Sequence, residues 1–184
     1  MGIMKCSREW AMPNSNTFSI KHIEMFINRH KRKGLSIDPF ANVNKIACVT
    51  NDLDPSMETD YNLDALDFLR LWDDNSISCV LFDPPYSPRQ VSEVYKRFNM
   101  TVNMETTQSS FWSIMKDEIA RIVEPNGVAL CFGWNSGGIG KKRGFSMEEV
   151  MLIAHGGSHN DTICTAEYKL PTLFNKLGKI GTEK

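Results

Sequence analysis

The sequence predicts a three-layer α/β domain whose mostly parallel sheet ends in a C-terminal antiparallel hairpin. Three observations support this prediction. Short apolar runs rich in β-branched residues alternate with segments of helical period. Several of these runs end in acidic or polar residues, as strands do at the ligand-binding edge of a parallel sheet. The last two runs, at 148–155 and 161–170, are joined by turn residues 156–160, which is typical of a hairpin.

The first half of the chain predicts one helix, two short strands and a second helix. Ser15 or Asn16 is the expected cap of a helix that ends near His30, before Gly34, and its apolar positions have helical spacing. Strands are predicted at 35–40 and 45–50, and a helix at 63–72. The apolar run 77–81 is predicted to be a central strand. Its residues are of the apolar kind found in buried strands, and an acid and two prolines follow it.

The second half predicts a helix from Ser87-Pro88, a loop at 99–110 and a helix at 111–123. The helical face of the first comprises Val91, Val94, Tyr95 and Phe98. A turn at 125–127 leads into a strand at 128–134. The glycine-rich segment that follows, up to residue 145, is short, and we expect a loop in place of a crossover helix.

Length and composition exclude several classes of protein. The 184 residues suffice for one well-buried domain and are too few for two ordinary ones, so we expect a single domain over residues 1–184. A hydrophobic content of 41% and a charged content of 23% argue against disorder. No stretch resembles a membrane span or a signal peptide, and we therefore expect a cytoplasmic protein.

Charge and cysteine content narrow the function further. The net charge of −1 argues against nucleic-acid binding by bulk electrostatics, although basic residues cluster at 29–33, at 141–143 and near the C-terminus. The cysteines are odd in number, widely spread and without a CxxC pair, so we expect buried reduced thiols and neither a metal site nor a disulfide framework. They are Cys6, Cys48, Cys79, Cys131 and Cys164.

Polar residues follow four of the predicted strands. Because ligands bind outside the carboxyl ends of the strands in such sheets, we expect these residues to lie along one edge. They are Asp38, Asp52, Asp83 and Trp134.

The tetrapeptide Asp83-Pro84-Pro85-Tyr86 is the most specific motif in the chain. Its simplest interpretation is that it ends a strand, since proline lacks an N–H and forces its predecessor to be extended. At average residue usage, however, this combination arises by chance in roughly one chain per thousand of this size. We therefore interpret it as part of a site.

This tetrapeptide, with four other segments, resembles the S-adenosylmethionine-dependent DNA amino-methyltransferases that modify adenine N6 or cytosine N4, and small phage-like adenine methyltransferases in particular. The other segments are WAMPN at 10–14, IDPFAN at 37–42, TNDLDP at 50–55 and Asp64-Ala65. The resemblance implies a Rossmann-like class I methyltransferase sheet and S-adenosyl-L-methionine as cofactor. One departure is that Asp-Pro-Phe is followed by Ala41-Asn42-Val43, where the family usually has glycines.

The resemblance also implies a set of cofactor-binding residues. Asp38 is expected to bind the amino group of the cofactor, and Phe40, with Pro39, to border its methionine part. Asp52, or else Asn51, is the expected acceptor for the ribose hydroxyls, with an ordinary Asx turn as the alternative interpretation of Asp52. Asp64 and Ala65 would border the adenine ring. Trp10, Met12 and Pro13 match the N-terminal cofactor motif, although they could equally be ordinary core or tail residues.

The chemistry of amine methylation suits the tetrapeptide. The exocyclic amine of a base is a poor nucleophile because its lone pair is delocalised into the ring. A carboxylate at Asp83 and the carbonyl of Pro84 can accept its two N–H bonds and redirect the lone pair. Pro84 and Pro85 fix the aim of that carbonyl, and Tyr86 offers a flat face on which a flipped-out base can stack.

Substrate and partners are defined less sharply. Trp134, Asn135 and His159 are candidates for contact with the target base or its neighbours, although such residues are more often structural. There is no room for a separate target-recognition domain, so we expect DNA as partner, with recognition of few bases or help from an accessory subunit or self-association. Methylation of RNA or of cytosine N4, and a catalytically silent nucleic-acid-binding subunit, stay open as alternatives.

Overall fold

The computed structural model describes residues 3–85, 89, 109–157 and 159–171. Tyr86, the predicted helix from Ser87-Pro88 with its apolar face, the loop at 99–108 and the basic residues near the C-terminus lie outside the described residues. Within the described ranges, no helix combines the length and apolar character needed to cross a membrane.

A seven-stranded mixed sheet forms the centre of the fold. Its strands are β1 (Lys5–Trp10), β2 (Ser36–Asp38), β3 (Val49–Thr50), β4 (Ile77–Phe82), β5 (Val123–Gly133), β6 (Phe145–Ala154) and β7 (Thr162–Lys169). They lie in the order β1-β6-β7-β5-β4-β2-β3. All neighbours are parallel except β7, which is antiparallel to both β5 and β6. The predicted sheet with its C-terminal hairpin is confirmed.

Helices cover both faces, which confirms the three layers. On one face, α1 (Lys21–His30) packs on β4, β5, β6 and β7 through an apolar cluster that includes Ile23, Phe26, Ile27, Leu81 and Phe132. On the other, α2 (Ala65–Arg70) and α3 (Ser109–Ile122) pack on β2, β4 and β5 through a second cluster that includes Phe68, Met115, Ile119, Val80 and Phe82. Burial of these apolar side chains supplies most of the driving force for folding.

The start of α1 differs from the prediction. Neither Ser15 nor Asn16 caps it: a 3₁₀ turn at Thr17–Ser19 comes first, and Ile20 occupies the N-cap position without a side-chain bond. The end at His30 is confirmed, and Gly34 lies beyond it. Gly34 has φ 123°, and a Cβ there would lie 2.2 Å from Oγ of Ser78. The glycine is therefore needed because the chain passes close to β4.

The ends of several other helices and strands differ from those that the local sequence pattern predicts. β3 has only two of the six predicted residues, α2 is shorter than 63–72, and α3 begins at Ser109 within the predicted loop. The turn at 125–127 interrupts the register between β4 and β5, with Asn126 at φ 66°. β6 begins three residues before the predicted start, and the segment before it is a loop with a short 3₁₀ helix at Lys141–Arg143, as expected.

Strand β1 was not predicted. Its sequence KCSREW has three charged residues and no apolar alternation, and its side chains are mostly exposed. Such a pattern is possible because β1 pairs with β6 at the edge of the sheet, where a strand needs few buried side chains. The cysteines also differ from the prediction in part: Cys79, Cys131 and Cys164 are buried, whereas Cys6 and Cys48 are exposed.

Candidate active site at the carboxyl edge of the sheet

Four predicted polar residues lie at one edge of the sheet, as the strand order requires. Asp38 is the last residue of β2, and Asp52 follows β3 by two residues. Asp83 comes directly after β4, and Trp134 directly after β5. Because β2, β3, β4 and β5 run parallel, their carboxyl ends meet here.

Asp38 is a buried carboxylate with an unpaired oxygen. Its side chain is fully buried; Oδ1 accepts the backbone N–H of Phe40 at 3.0 Å, and Oδ2 has no hydrogen-bond partner among the residues that the structure describes. Burial raises the pKa of Asp38 well above its ordinary value against the effect of that N–H, and the charges of Asp83 and Asp52 raise it further. A buried oxygen without a partner is costly, so this position suits a cationic ligand.

The loop after β2 shows how the chain manages without the usual glycines. Asn42 has φ 50°, the left-handed conformation that asparagine tolerates better than most residues. Its N–H donates to Oδ2 of Asp52 at 2.9 Å. Pro39 is buried, and the ring of Phe40 packs against that of Phe82 with centroids 5.9 Å apart. The backbone therefore turns tightly at Asn42, although no glycine is present.

Asn51 and Asp52 have different roles. Asn51 is fully buried, and both N–H groups of its amide donate, to Pro39 O and Leu63 O, while its oxygen accepts the N–H of Leu63, so this side chain holds the edge together. Asp52 is partly exposed and accepts the N–H groups of Asn42 and Asp54. The bond from Asp54 makes the Asx turn that was the alternative interpretation, yet each carboxylate oxygen can accept a further bond.

Asp64 and Ala65 begin α2. Oδ1 of Asp64 accepts the N–H of Leu66 at 2.9 Å, which caps the helix. Ala65 is buried in the apolar cluster with Ile37 and Phe68. Both residues thus have structural contacts of their own, and their contact with the adenine of a cofactor stays a prediction.

The N-terminal motif lies at the opposite end of the same edge. Trp10 ends β1, and β6, β7, β5 and β4 lie between it and β2. Trp10 and Met12 are mostly exposed, and Pro13 is partly buried. Nδ1 of His155 contacts the carbonyl of Ala11 at 2.9 Å, which fastens this segment to the end of β6. The structure gives no contact of Met12 or Pro13 with Asp38.

A cavity of about 420 Å³ opens beside the tetrapeptide. It brings together four of the predicted residues, Pro84, Pro85, Trp134 and Asn135, with Phe82 and with Trp112 and Lys116 of α3. Aromatic rings and prolines dominate its walls, and Lys116 is the charged side chain among the described lining residues. His159 is exposed in the hairpin turn and does not line this cavity.

One wall of the cavity is a glycine-rich loop that two side chains hold in place. Glu167 of β7 is almost fully buried and accepts the N–H groups of Ile139 and of Gly140, the latter at 3.1 Å. Burial raises the pKa of Glu167 against those two bonds and the charge of Lys116. Arg143 donates to Ile139 O, to Asp117 and to the Ser113 carbonyl and hydroxyl, and so ties the loop to α3.

Sequence patterns did not single out Trp112, Lys116 or Glu167, and noted Arg143 only as part of the basic cluster at 141–143. The available signals were the i, i+4 spacing of Trp112 and Lys116 on a predicted helix and an acid within the otherwise β-like run of β7. Asp83 and Pro84 are partly and fully buried, respectively. Tyr86 lies outside the described residues, so its stacking role stays a prediction.

Comparison with known proteins concerns structure alone. No protein-family model matches the sequence, and no curated protein matches it. The proposed methylase HI0767 of Haemophilus influenzae superposes with a TM-score of 0.50 at 10% identity, over 82% of this chain and 96% of that one. TrmN of Thermus thermophilus gives 0.53 at 13% identity, over 82% of this chain and 49% of that one.

A third solved structure agrees with these two. The proposed methyltransferase yhhF of Escherichia coli gives a TM-score of 0.50 at 10% identity, over 88% of this chain and 92% of that one. Identities this low establish the architecture and no more. The chain therefore has the Rossmann-like α/β fold of these methyltransferase structures.

Proposed function

We propose that this chain is an S-adenosylmethionine-dependent methyltransferase that acts on the exocyclic amine of a base in DNA, with adenine N6 as the acceptor. One observation carries the proposal. Asp83-Pro84-Pro85 directly follows the central strand β4, next to the buried carboxylate of Asp38, in a fold that methyltransferases use. The motif and the position required for amine methylation thus coincide.

The acidic edge supports a cationic cofactor. The charges of Asp83 and Asp52 add to the effect of burial in raising the pKa of Asp38, and Oδ2 of Asp38 has no hydrogen-bond partner among the described residues. S-adenosylmethionine would supply an electrophilic methyl group on a sulfonium, together with an ammonium group. Asp38 is the residue we expect to bind that ammonium, and Asp52 the one we expect to accept the ribose hydroxyls.

Asp83 and Pro84 would activate the amine. A carboxylate and a carbonyl accept the two N–H bonds of the amine, which turns its lone pair out of the plane of the base. Both prolines have fixed φ and no N–H of their own, so the orientation of the Pro84 carbonyl is fixed. Alignment of the amine with the methyl group then accounts for much of the rate.

The cavity beside Pro84 and Pro85 supports a flat, aromatic substrate. Its aromatic and proline walls provide stacking surfaces of the kind that bind a base taken out of a helix. Trp134 and Asn135 are the candidates for contacts to the base. The choice of adenine over cytosine, and of DNA over RNA, rests on the resemblance of the motif to that of DNA amino-methyltransferases.

The test is methyl transfer from labelled S-adenosylmethionine to unmethylated DNA, with the modified nucleoside identified by mass spectrometry. We expect N6-methyladenine with the wild type and a loss of at least about a hundredfold with Asp83→Ala, because alanine leaves one N–H of the amine without an acceptor. Asp73→Ala, at an exposed acid before β4, is the matched control and should keep full activity.

Other outcomes would revise or refute the proposal. Transfer to RNA, or to N4 of cytosine, would keep the chemistry and change the substrate. Absence of transfer to any nucleic acid, by folded protein that still binds DNA, would favour a silent methyltransferase-like subunit. Equal activity of Asp83→Ala and wild type would refute the assigned role of the motif.

A further inference from the structure

Lys116 is the charged side chain of the described cavity lining, and it lies among aromatic residues. It is on α3 one turn after Trp112, so both side chains come from the same face of the helix, and both line the cavity together with Pro84 and Pro85. Lys116 is half-buried. Among the described residues, no hydrogen bond or ion pair engages its ammonium group.

The buried acid Glu167 lies near Lys116 but does not form an ion pair with it. Glu167 is close enough for the charge of Lys116 to affect its pKa. Both oxygens of Glu167 instead accept N–H groups of the glycine-rich loop, from Ile139 and Gly140. The carboxylate of Glu167 is thus engaged by the loop, and among the described residues nothing pairs with the ammonium group of Lys116, which lines the cavity.

A half-buried ammonium beside a cavity walled by indole rings and prolines matches a ligand with a flat ring and a negative charge. Stacking on the rings supplies binding energy that is tolerant of sequence, and a lysine contributes a point charge that suits a phosphate. Asn135, in the same lining, adds an amide that can pair with the edge of a base.

We propose that Lys116, with Trp112 and Trp134 as stacking surfaces, binds the phosphate of the nucleotide whose base enters this cavity. This rests on the proposed function, since a nucleotide is the substrate unit named there, and it assigns to α3 a binding role that the sequence motif does not include. Lys116 is a substrate-binding residue in this proposal and takes no part in the transfer itself.

The experiment compares 2′-deoxyadenosine 5′-monophosphate with 2′-deoxyadenosine. Binding is followed by quenching of tryptophan fluorescence, excited beyond the absorption of adenine, in wild type, Lys116→Gln, Lys116→Arg and Lys142→Gln. Lys142 is exposed in the 3₁₀ helix before β6, so its variant controls for the loss of one positive charge. Thermal unfolding of each variant verifies that it is folded.

We expect the wild type to bind the monophosphate about tenfold more tightly than the nucleoside, the effect of one charge-assisted hydrogen bond. Lys116→Gln should lose this preference without losing nucleoside binding, whereas Lys116→Arg and Lys142→Gln should keep it. Equal wild-type affinity for the two ligands, a preference that survives in Lys116→Gln, or failure of both ligands to bind would each overturn the inference.

Failure of the proposed function gives a different result. Methyl transfer to unmethylated DNA is measured on the same wild-type sample. If transfer is absent while the preference for phosphate is present and depends on Lys116, the cavity binds nucleotides and the methylation proposal fails. If transfer occurs and Lys116→Gln keeps the preference, methylation stands and the role of Lys116 is refuted.

Discussion

At the scale of single residues, Asp38 combines a structural cost with a functional use. Its carboxyl group is fully buried, one of its oxygens has no hydrogen-bond partner in the described part of the chain, and its pKa is raised by burial and by the neighbouring acids. A carboxyl group with a raised pKa in the folded state stabilises the fold fully at pH values below its unfolded pKa. That stability decreases as the pH rises towards the folded value. The folded protein thus keeps an acid that weakens it at neutral pH.

We predict that Asp38→Asn stabilises the protein at pH 7 and abolishes binding of S-adenosylmethionine. The amide removes a buried charge, and its oxygen can still accept the N–H of Phe40. The free energy of unfolding should rise by about 1 kcal/mol or more, because each unit by which the pKa is raised costs about 1.4 kcal/mol. Urea unfolding at pH 7 and calorimetry with the cofactor measure the two effects.

The pH dependence and a matched variant make this prediction specific. The gain in stability should shrink towards pH 4, where the carboxyl group is protonated in both states. Asp67→Asn, at an exposed acid in α2, changes the net charge equally and should alter neither stability nor cofactor binding appreciably. A loss of stability in Asp38→Asn at pH 7 would show that the buried carboxyl group of Asp38 does not weaken the fold.

At the scale of elements, the glycine-rich loop replaces a crossover helix and depends on contacts from β7 and α3. Gly138 has φ 47°, and a Cβ on it would lie 2.0 Å from Oε2 of Glu167. The glycine lets the loop approach the buried carboxylate that accepts its N–H groups. Since Gly138 also lines the cavity, the shape of that wall depends on the same contact.

We predict that Gly138→Ala distorts this wall. The methyl group would displace Glu167 from Ile139 and Gly140, at a cost of about 2–4 kcal/mol from lost hydrogen bonds and backbone strain. The apparent affinity for DNA should fall at least about tenfold, while the affinity for S-adenosylmethionine should stay near the wild-type value. Steady-state transfer assays and calorimetry separate the two affinities.

Gly157→Ala is the control for backbone strain alone. Gly157 has a similar φ of 60°, in the β6–β7 turn, and apart from its chain neighbours no described residue has an atom within 4 Å of an added Cβ. Its substitution should cost about 1 kcal/mol and leave DNA binding unchanged. If the two alanine variants behaved alike, the contact between Gly138 and Glu167 would have no specific effect on the cavity.

At the scale of the whole molecule, a buried polar cluster joins α1, β6 and β7 away from the candidate site. Nε2 of His30 lies 2.8 Å from Glu149, and Nδ1 lies 2.8 Å from the hydroxyl of Tyr168. Arg29 and Lys5 also pair with Glu149. A neutral His30 fits both contacts, donating from Nε2 to the carboxylate and accepting at Nδ1 from the tyrosine hydroxyl.

The pKa shifts in this cluster make global stability sensitive to acid. Burial lowers the pKa of His30 below 6.5, against the effect of Glu149. Burial alone would raise the pKa of Glu149, but His30, Arg29 and Lys5 together lower it. For both groups the unfolded chain binds protons at a higher pH than the folded chain, so stability is lost as the pH falls, first through His30 and then through Glu149.

We predict that His30 contributes a fall of up to about 1 kcal/mol in the free energy of unfolding between about pH 7 and pH 5, opposite in sign to the contribution of Asp38, and that His30→Gln removes this contribution from the pH slope. Glutamine can donate to Glu149 and accept from Tyr168 without titrating. Urea unfolding at several pH values measures the slope. His22→Gln, at a more exposed histidine beside Glu9, should keep the wild-type slope; if both variants keep it, His30 is not its source.

Sequence determined those features of this protein that depend on neighbouring residues. The apolar run of β4, followed by an acid and prolines that cannot continue a strand, defined both the central strand and the motif after it. Alternation of strands with helices predicted a mostly parallel sheet, and with it that Asp38, Asp52, Asp83 and Trp134 lie at one edge. Local rules suffice there, because burial and chain geometry act over a few residues.

Only the tertiary structure decided the features that depend on contacts between distant segments. Strand β1 exists because β6 pairs with it, and nothing in its charged sequence requires a strand. Glu167 accepts N–H groups of the glycine-rich loop, and Lys116 lines the same cavity as Pro84 and Pro85, although these segments are far apart in the chain. The burial of the Asp38 oxygen likewise depends on how distant segments pack around it. Hydrogen bonds and cavities of this kind are set by packing in three dimensions, which residue order alone does not specify.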